Sequence, residues 1–452
     1  MKKTLSFASY ITIGSMLFGL FFGAGNLIFP VQMGQLAGSN TPLATLGFIL
    51  TGVGLPFLGV LAIGFSQSNG LYDLAKRVHP AFGLFFTVAL YLTIGPFFAL
   101  PRTATVSFEV GIAPYISETW QTLCLLLFSL TFFILAWAFS LKPAKIMTWI
   151  GKILNPLFLI FLSFLIIKAF SQPMGKIANQ VISPAYVESP LITGFIEGYN
   201  TMDVLASLAF AIIVINSIKR LGVTNPLEIA KDTLKAGTVT LILMTVIYGS
   251  LAYMGATSLS RLPIAENGGL ALNQIANFYF GPIGSLLLAI IVTLACLKTA
   301  IGLITACSET FTELFPLISY RNFVHLFSLF GCLIANLGLT SIIKFSLPVL
   351  MFLYPLSIVL VFLALLSPLF KHQPIVYQIT IGVTFVLSIY EGLKAGPSWL
   401  QQLPLIKPII TFLDTLLPLS DLNMGWVLPA ILAFIVSFIL MIFTKKNISP
   451  SW

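Results

Sequence analysis

Apolar runs of about 20 residues, separated by short polar connections, repeat along the whole chain. A hydrocarbon core roughly 30 Å thick takes about 20 helical residues, so the pattern predicts about twelve membrane-spanning helices. Their expected limits are 7–35, 42–66, 81–113, 120–141, 146–169, 191–217, 237–257, 279–314, 322–341, 345–367, 374–393 and 424–444. The runs lack the alternation of an outer-membrane barrel, so the fold class is an all-α polytopic membrane protein. The first, third, sixth and eighth spans are longer than a straight crossing needs and are expected to tilt or break.

Polar residues single out two of these long spans. The first holds Gly19-Leu20-Phe21-Phe22-Gly23-Ala24-Gly25-Asn26-Leu27-Ile28-Phe29-Pro30. Glycine, asparagine and proline are poor helix formers. In hydrocarbon, a broken helix is tolerated only where its loose backbone is buried in protein or lines a cavity. Gly19 and Gly23 also stand four apart, the spacing of a helix-packing face, and on this stretch alone both uses stand open. The sixth span carries Glu197-Gly198-Tyr199-Asn200-Thr201-Met202-Asp203 between apolar halves. Interruptions at corresponding positions of two halves point to the central site of a secondary transporter.

Two such breaks suit an amino acid. The N-terminal end of a half-helix offers free N–H groups and positive partial charge to a carboxylate. The C-terminal end offers carbonyls to an ammonium or a cation. Asn26, Tyr199, Asn200 and Thr201 can add hydrogen bonds, and the surrounding Phe, Leu and Ile suit an apolar side chain. Asp203 is an intramembrane acid, either functional or the N-cap of the second half of span six.

Two cations also fall inside spans. Arg102 lies in Pro101-Arg102-Thr103-Ala104-Thr105-Val106-Ser107-Phe108-Glu109. It either pairs with another helix or lines a pathway, while Glu109, on the same face, is expected to snorkel to the outer surface. Lys298 stands near the middle of span eight, where an ammonium needs carbonyls or a carboxylate. It is expected to place a fixed or titratable charge beside the central site.

Composition narrows the class further. The 452 residues are 58% hydrophobic and 8% charged, against roughly 25% charge in soluble domains, which excludes a soluble protein. The net charge of +9 comes from basic residues scattered among short loops, a topology signal and not a nucleic-acid footprint. With the N-terminus inside, about 15 basic residues face the cytoplasm and about 6 face outward, so both termini are expected to be cytoplasmic. The N-terminal apolar run is expected to remain as the first helix, being too long for a cleaved signal. The four cysteines sit in apolar runs and the three histidines lie far apart, so neither a disulfide framework nor a zinc site is expected. No phosphate-binding loop and no metalloprotease motif occurs, and no catalytic residues or cofactor are expected. Long outer connections are expected at 170–190 and 394–423, the second as short amphipathic turns on the membrane surface.

The motifs Gly23 to Pro30, Pro101 to Glu109 and Gly198 to Asp203, in that order, resemble those of the bacterial branched-chain amino acid:cation symporters, within the amino acid–polyamine–organocation superfamily. The resemblance covers the first span through at least the eighth, and the span count fits throughout. It implies the leucine-transporter-like fold, a five-plus-five inverted repeat with helices one and six broken. Residues 1–170 would form the first repeat, 171–190 an outer loop, 191–368 the second repeat, and 369–452 spans eleven and twelve with their long outer loop. It also implies import of leucine, isoleucine and valine into a bacterial cell across the plasma membrane, by alternating access and usually with sodium.

Carried over motif by motif, the resemblance implies that Gly23, Ala24, Gly25 and Asn26 meet the substrate together with Tyr199, Asn200, Thr201 and Met202, beside Asp203. Asn26 would also contact a sodium. A second sodium site of this fold would fall by position on Gly19, Phe22, Ala295, Lys298 and Thr299. Here the chain departs from the pattern, because Lys298 stands where sodium users place a hydroxyl residue. An ammonium there repels a sodium strongly in a low dielectric. Lys298 is therefore expected to replace or weaken sodium coupling, leaving transport proton-coupled or less ion-dependent. The alternatives are a carrier for another small neutral amino acid, a proton-coupled or uncoupled permease, an amino acid sensor and an intramembrane enzyme.

Overall fold

The structure is a computed structural model and describes residues 5–141, 159–223 and 225–445. Among these residues the only regular secondary structure is helical, and a helix stands at every expected span. The part of the fifth span before Leu159 lies outside the described residues. Seven helices are long and apolar enough to cross a bilayer, eight with the bent sixth span. This is a multi-pass membrane protein.

The first span is two half-helices, α1 (Phe7–Phe21) and α2 (Ala24–Ala37). The second is α3 (Thr41–Ile49) continued through a π-turn into α4 (Leu55–Phe65). A short helix, α5 (Leu71–Ala75), leads to the third span, α6 (Pro80–Leu92) and α7 (Ala99–Gly111), which are separated by a turn at Gly95 and Pro96. Then come α8 (Glu118–Ser140) and α9 (Leu159–Ser171). The sixth span is α10 (Pro190–Glu197) and α11 (Asp203–Arg220), bent by 48°. The remainder is α12 (Pro226–Ser258), α13 (Gly268–Leu314), α14 (Tyr320–Ala335), α15 (Leu339–Leu366), α16 (Pro374–Lys394), α17 (Ser398–Gln401), α18 (Ile406–Leu416) and α19 (Val427–Lys445).

The pairing of these helices follows the repeat. Span one packs along α12, the seventh span, while the halves of span six pack along α3 and α4, the second. Exchanging one with six and two with seven turns each pairing into the other. Lipid gives helices no hydrophobic reason to associate, so close approach through small residues matters most. A methyl on Gly34 would lie 2.1 Å from the Ala252 carbonyl oxygen, and one on Gly255 2.1 Å from that of Val31. The other half repeats the device: Gly47 faces the Leu191 carbonyl at 1.9 Å and Gly194 that of Ala44 at 2.0 Å. These glycines hold backbone against backbone and fix the two broken spans to their neighbours.

Several limits differ from the sequence pattern. The expected seventh span begins eleven residues early, at Pro226, because Lys231, Asp232 and Lys235 form a polar helix end and not a loop. Asp232 accepts from Tyr10 Oη at 2.7 Å, tying that end to α1. The eighth span is preceded by a helical stretch from Gly268, capped by Asn267, whose side chain accepts from the N–H groups of Gly269 and Leu270. Asn267-Gly268-Gly269 reads as a turn, yet a methyl on Gly268 would lie 2.0 Å from the Ile28 carbonyl oxygen, so this glycine serves contact. The run then bends at Gly281 (φ 63°), just before Pro282. In the long outer connection, Lys394 pairs with Asp414 at 2.6 Å, Tyr390 donates to the same carboxylate, and α18 is held against α16.

Candidate functional site

The break in span one is narrower than the polar stretch suggests. Gly19 lies within α1 and Pro30 within α2, and only Phe22 and Gly23 leave the helix. Pro30 has no N–H, so it cannot bond the carbonyl of Asn26 four residues before it. Asn26 closes the break from the other side, its Oδ1 accepting from Gly23 N at 2.8 Å. In span six, a tight turn at Gly198–Thr201 ends on Met202, which adopts left-handed backbone (φ 60°, ψ 15°). That conformation costs a non-glycine residue about 1–2 kcal/mol, a cost borne where a site needs it.

The two breaks meet. Asn26 Nδ2 donates to Asp203 Oδ2 at 2.7 Å and also to Tyr248 Oη. Tyr248 in turn donates to Asp203 Oδ2 at 2.8 Å. The cap of α11 is Met202, so Asp203 spends its carboxylate on spans one and seven. Both of these bonds end on one oxygen, Oδ2, and Asp203 also lines a cavity.

That cavity has a volume of about 50 Å³ and is lined by Gly23, Ala24, Gly25, Asn26, Thr201, Met202 and Asp203, with Arg102, Thr103 and Thr299. Phe21, Ile94, Phe210 and Leu303 supply apolar wall. A water needs roughly 10–15 Å³ of such space, so the site as it stands is contracted to a few waters. Tyr199 and Asn200, expected to face a solute, stand outside the lining. Tyr199 stacks on Tyr354 at 3.9 Å between ring centroids. Asn200 turns its side chain to Glu197 Oε2 at 2.9 Å.

Sequence reasoning missed Tyr248 and left Arg102 undecided. Tyr248 is one hydroxyl in an apolar run and gave no signal. Arg102 is 2% exposed, donates from Nη1 to Asn200 O at 2.5 Å and from Nη2 to Ser346 Oγ at 3.2 Å, and lies over the Phe29 ring. Glu109 is half-buried near Gly269, not at the free outer surface.

A second cavity of about 80 Å³ adjoins the first, sharing Leu20, Phe210, Thr299 and Leu303 with it. Gly19, Lys298 and Glu309 line it. Lys298 Nζ donates to Gly19 O at 3.2 Å. Gly19 is in the last turn of α1, where carbonyls lack intrahelical partners and carry negative partial charge, a favourable place for an ammonium. Thr299 Oγ1 bonds back to Ala295 O at 3.1 Å, and neither Ala295 nor Phe22 lines this cavity. A third cavity, of about 370 Å³, follows along α11 and α13 at Ala209, Ile212, Thr310 and Glu313. The first two step toward the C-terminal ends of α11 and α13, and the third lies farther along α13 only.

Known proteins bear on this arrangement. Residues 6–444 match the model of a family described as branched-chain amino acid transport protein. The branched-chain amino acid permease BrnQ of Lactobacillus delbrueckii subsp. lactis is 49% identical over 451 residues, 99% of this chain and 100% of that protein. BrnQ of Bacillus subtilis (strain 168) is 44% identical over 447 residues, 99% and 100% of the two chains. Among solved structures, Mhp1, a nucleobase-cation-symport-1 family transporter, aligns in a closed conformation with a TM-score of 0.54 at 12% identity, over 97% of this chain and 93% of its own. Its inward-facing conformation aligns with a TM-score of 0.59 at 13% identity, over 97% and 91%. At such identities the likeness concerns the fold alone, which is the leucine-transporter-like one.

Proposed function

Because this chain belongs to the family of branched-chain amino acid transport proteins, we propose that it imports leucine, isoleucine and valine by alternating access at the cavity between its two broken helices. Members of the family are carriers and not enzymes. The observation that carries the reading is the convergence of α2's N-terminus and Asp203 on one buried cavity with apolar walls. A zwitterion with a branched apolar tail has a group for each: carboxylate for the N–H groups, ammonium for the acid, side chain for Phe21, Ile94 and Phe210.

Release runs from the central cavity through the adjoining one at Lys298, toward the C-terminal ends of α11 and α13, the side on which Lys219, Arg220 and Arg321 fall. On the basic-residue rule that side is cytoplasmic, with both termini, and the membrane is the bacterial plasma membrane. The opposite side is held shut by the Tyr199–Tyr354 stack.

Lys298 occupies the contact between spans one and eight that a coupling sodium would use. Its ammonium already serves the Gly19 carbonyl. In this reading a tethered cation stands in place of a free one, and the driving ion is a proton or none.

Uptake of labelled leucine into proteoliposomes tests the substrate class. Excess unlabelled isoleucine and valine are expected to suppress it as leucine does, while lysine, glutamate and glycine leave it near its starting level. Equal competition by glycine or alanine would move the assignment to small neutral amino acids in general.

A further inference from the structure

Resting on the reading of the central cavity as a branched-chain amino acid site, we propose that Arg102 is the cationic anchor for the substrate's carboxylate. A guanidinium carries five N–H donors and keeps its charge. At Arg102 one bond goes to Asn200 O and one to Ser346 Oγ. Nε is fully buried and has no partner among the described residues. No carboxylate among the described residues lies within 4.0 Å of it. A buried charge without a counter-charge is costly, and a buried donor without an acceptor adds to that cost. An anion beside Arg102 removes both costs.

Position makes that anion the substrate. Arg102 lines the same cavity as Gly23, Gly25 and Asp203. A methyl on Gly25 would lie 3.1 Å from the Phe29 ring and 3.6 Å from Asn200 O. Arg102 donates to that same oxygen and lies over that same ring, 5.0 Å from its centroid. The guanidinium therefore stands beside the first turn of α2, whose N–H groups are the other donors available to an anion. Asp203, held by Asn26 and Tyr248, supplies the opposite charge. Arg102 and Asp203 thus give the cavity a positive and a negative pole, and an α-amino acid fits them in one orientation.

Leucine and leucinamide, which replaces the carboxylate with a neutral amide, separate this role from a structural one. Binding is measured on purified full-length protein. The unaltered protein is expected to bind leucine about 100-fold more tightly than leucinamide, the size of a buried charge-assisted hydrogen-bond pair. Arg102→Gln is expected to weaken leucine by about 100-fold and leave leucinamide unchanged, so that the preference disappears. Arg102→Lys keeps the charge without the fork and is expected to retain a preference of about tenfold. Ser346→Ala, which removes one bond to the guanidinium but not the guanidinium, is expected to keep the full preference. Equal loss of both ligands in Arg102→Gln, or an undiminished preference in it, overturns the proposal. Should Arg102→Gln not fold, an undiminished preference in Arg102→Lys does the same. If the unaltered protein binds neither ligand, the substrate reading itself falls, and the anchor with it.

Discussion

Asp203→Asn is expected to lower leucine uptake at least about 100-fold while leaving the protein folded. The carboxylate is buried, and two neutral donors, Asn26 and Tyr248, crowd one of its oxygens. Removing one partner of a buried charge pair costs about 3–5 kcal/mol, because the other charge is left desolvated. In the loaded site that other charge is the substrate's ammonium, so the loss falls on binding. Asparagine keeps the shape and one acceptor oxygen, so the Asn26–Tyr248 contact survives in part. Two readouts separate substrate binding from scaffolding. Thermal unfolding of the purified variant is expected to shift by a few degrees at most. Competition by 4-methylpentanoate, which lacks the amine, is expected to be as strong in Asp203→Asn as in the unaltered protein. A variant that transports leucine normally would return Asp203 to the role of a helix-end residue.

The second large effect concerns ion coupling. With Lys298 in place, an inward sodium gradient is expected to change leucine uptake less than about twofold, since an ammonium on the Gly19 carbonyl opposes a sodium nearby. Lys298→Thr removes the charge and restores the hydroxyl that oxygen-coordinated sodium sites use. That variant is expected to gain sodium stimulation of about tenfold or more, equivalent to roughly 1.4 kcal/mol of ion-dependent stabilisation. Proteoliposomes with sodium and proton gradients imposed separately make the comparison. Strong sodium dependence in the unaltered protein would show that Lys298 leaves the ion's place open.

Much of this was legible in the sequence, for identifiable reasons. Hydropathy marks spans because lipid demands about 20 apolar residues each. The two breaks are visible because ionisable and amide side chains are rare in hydrocarbon, and Asn26, Asn200 and Asp203 stand here in two clusters with glycine. The exact hinge at Phe22–Gly23 was not legible, since Gly19 and Pro30 look equally disruptive but are absorbed within α1 and α2. Asp203 could be read as a cap or as a site residue. The choice depends on Asn26 and Tyr248, which lie 177 and 45 residues away. Tyr199 and Asn200 belong to a conspicuous polar motif, yet packing turns their side chains to Tyr354 and Glu197 and out of the cavity lining. Arg102 stood out as an intramembrane cation, but its meaning needed the fold to bring it to Gly25.

The central claim is that the two breaks form one leucine site, and leucine binding to purified protein carrying Gly25→Leu tests it most directly. The added side chain starts 3.1 Å from the Phe29 ring, within a cavity of about 50 Å³. Saturable leucine binding by the unaltered protein and none by a folded, monodisperse Gly25→Leu protein is the expected result. Unchanged leucine affinity in that variant would place the substrate elsewhere in the molecule and contradict the site.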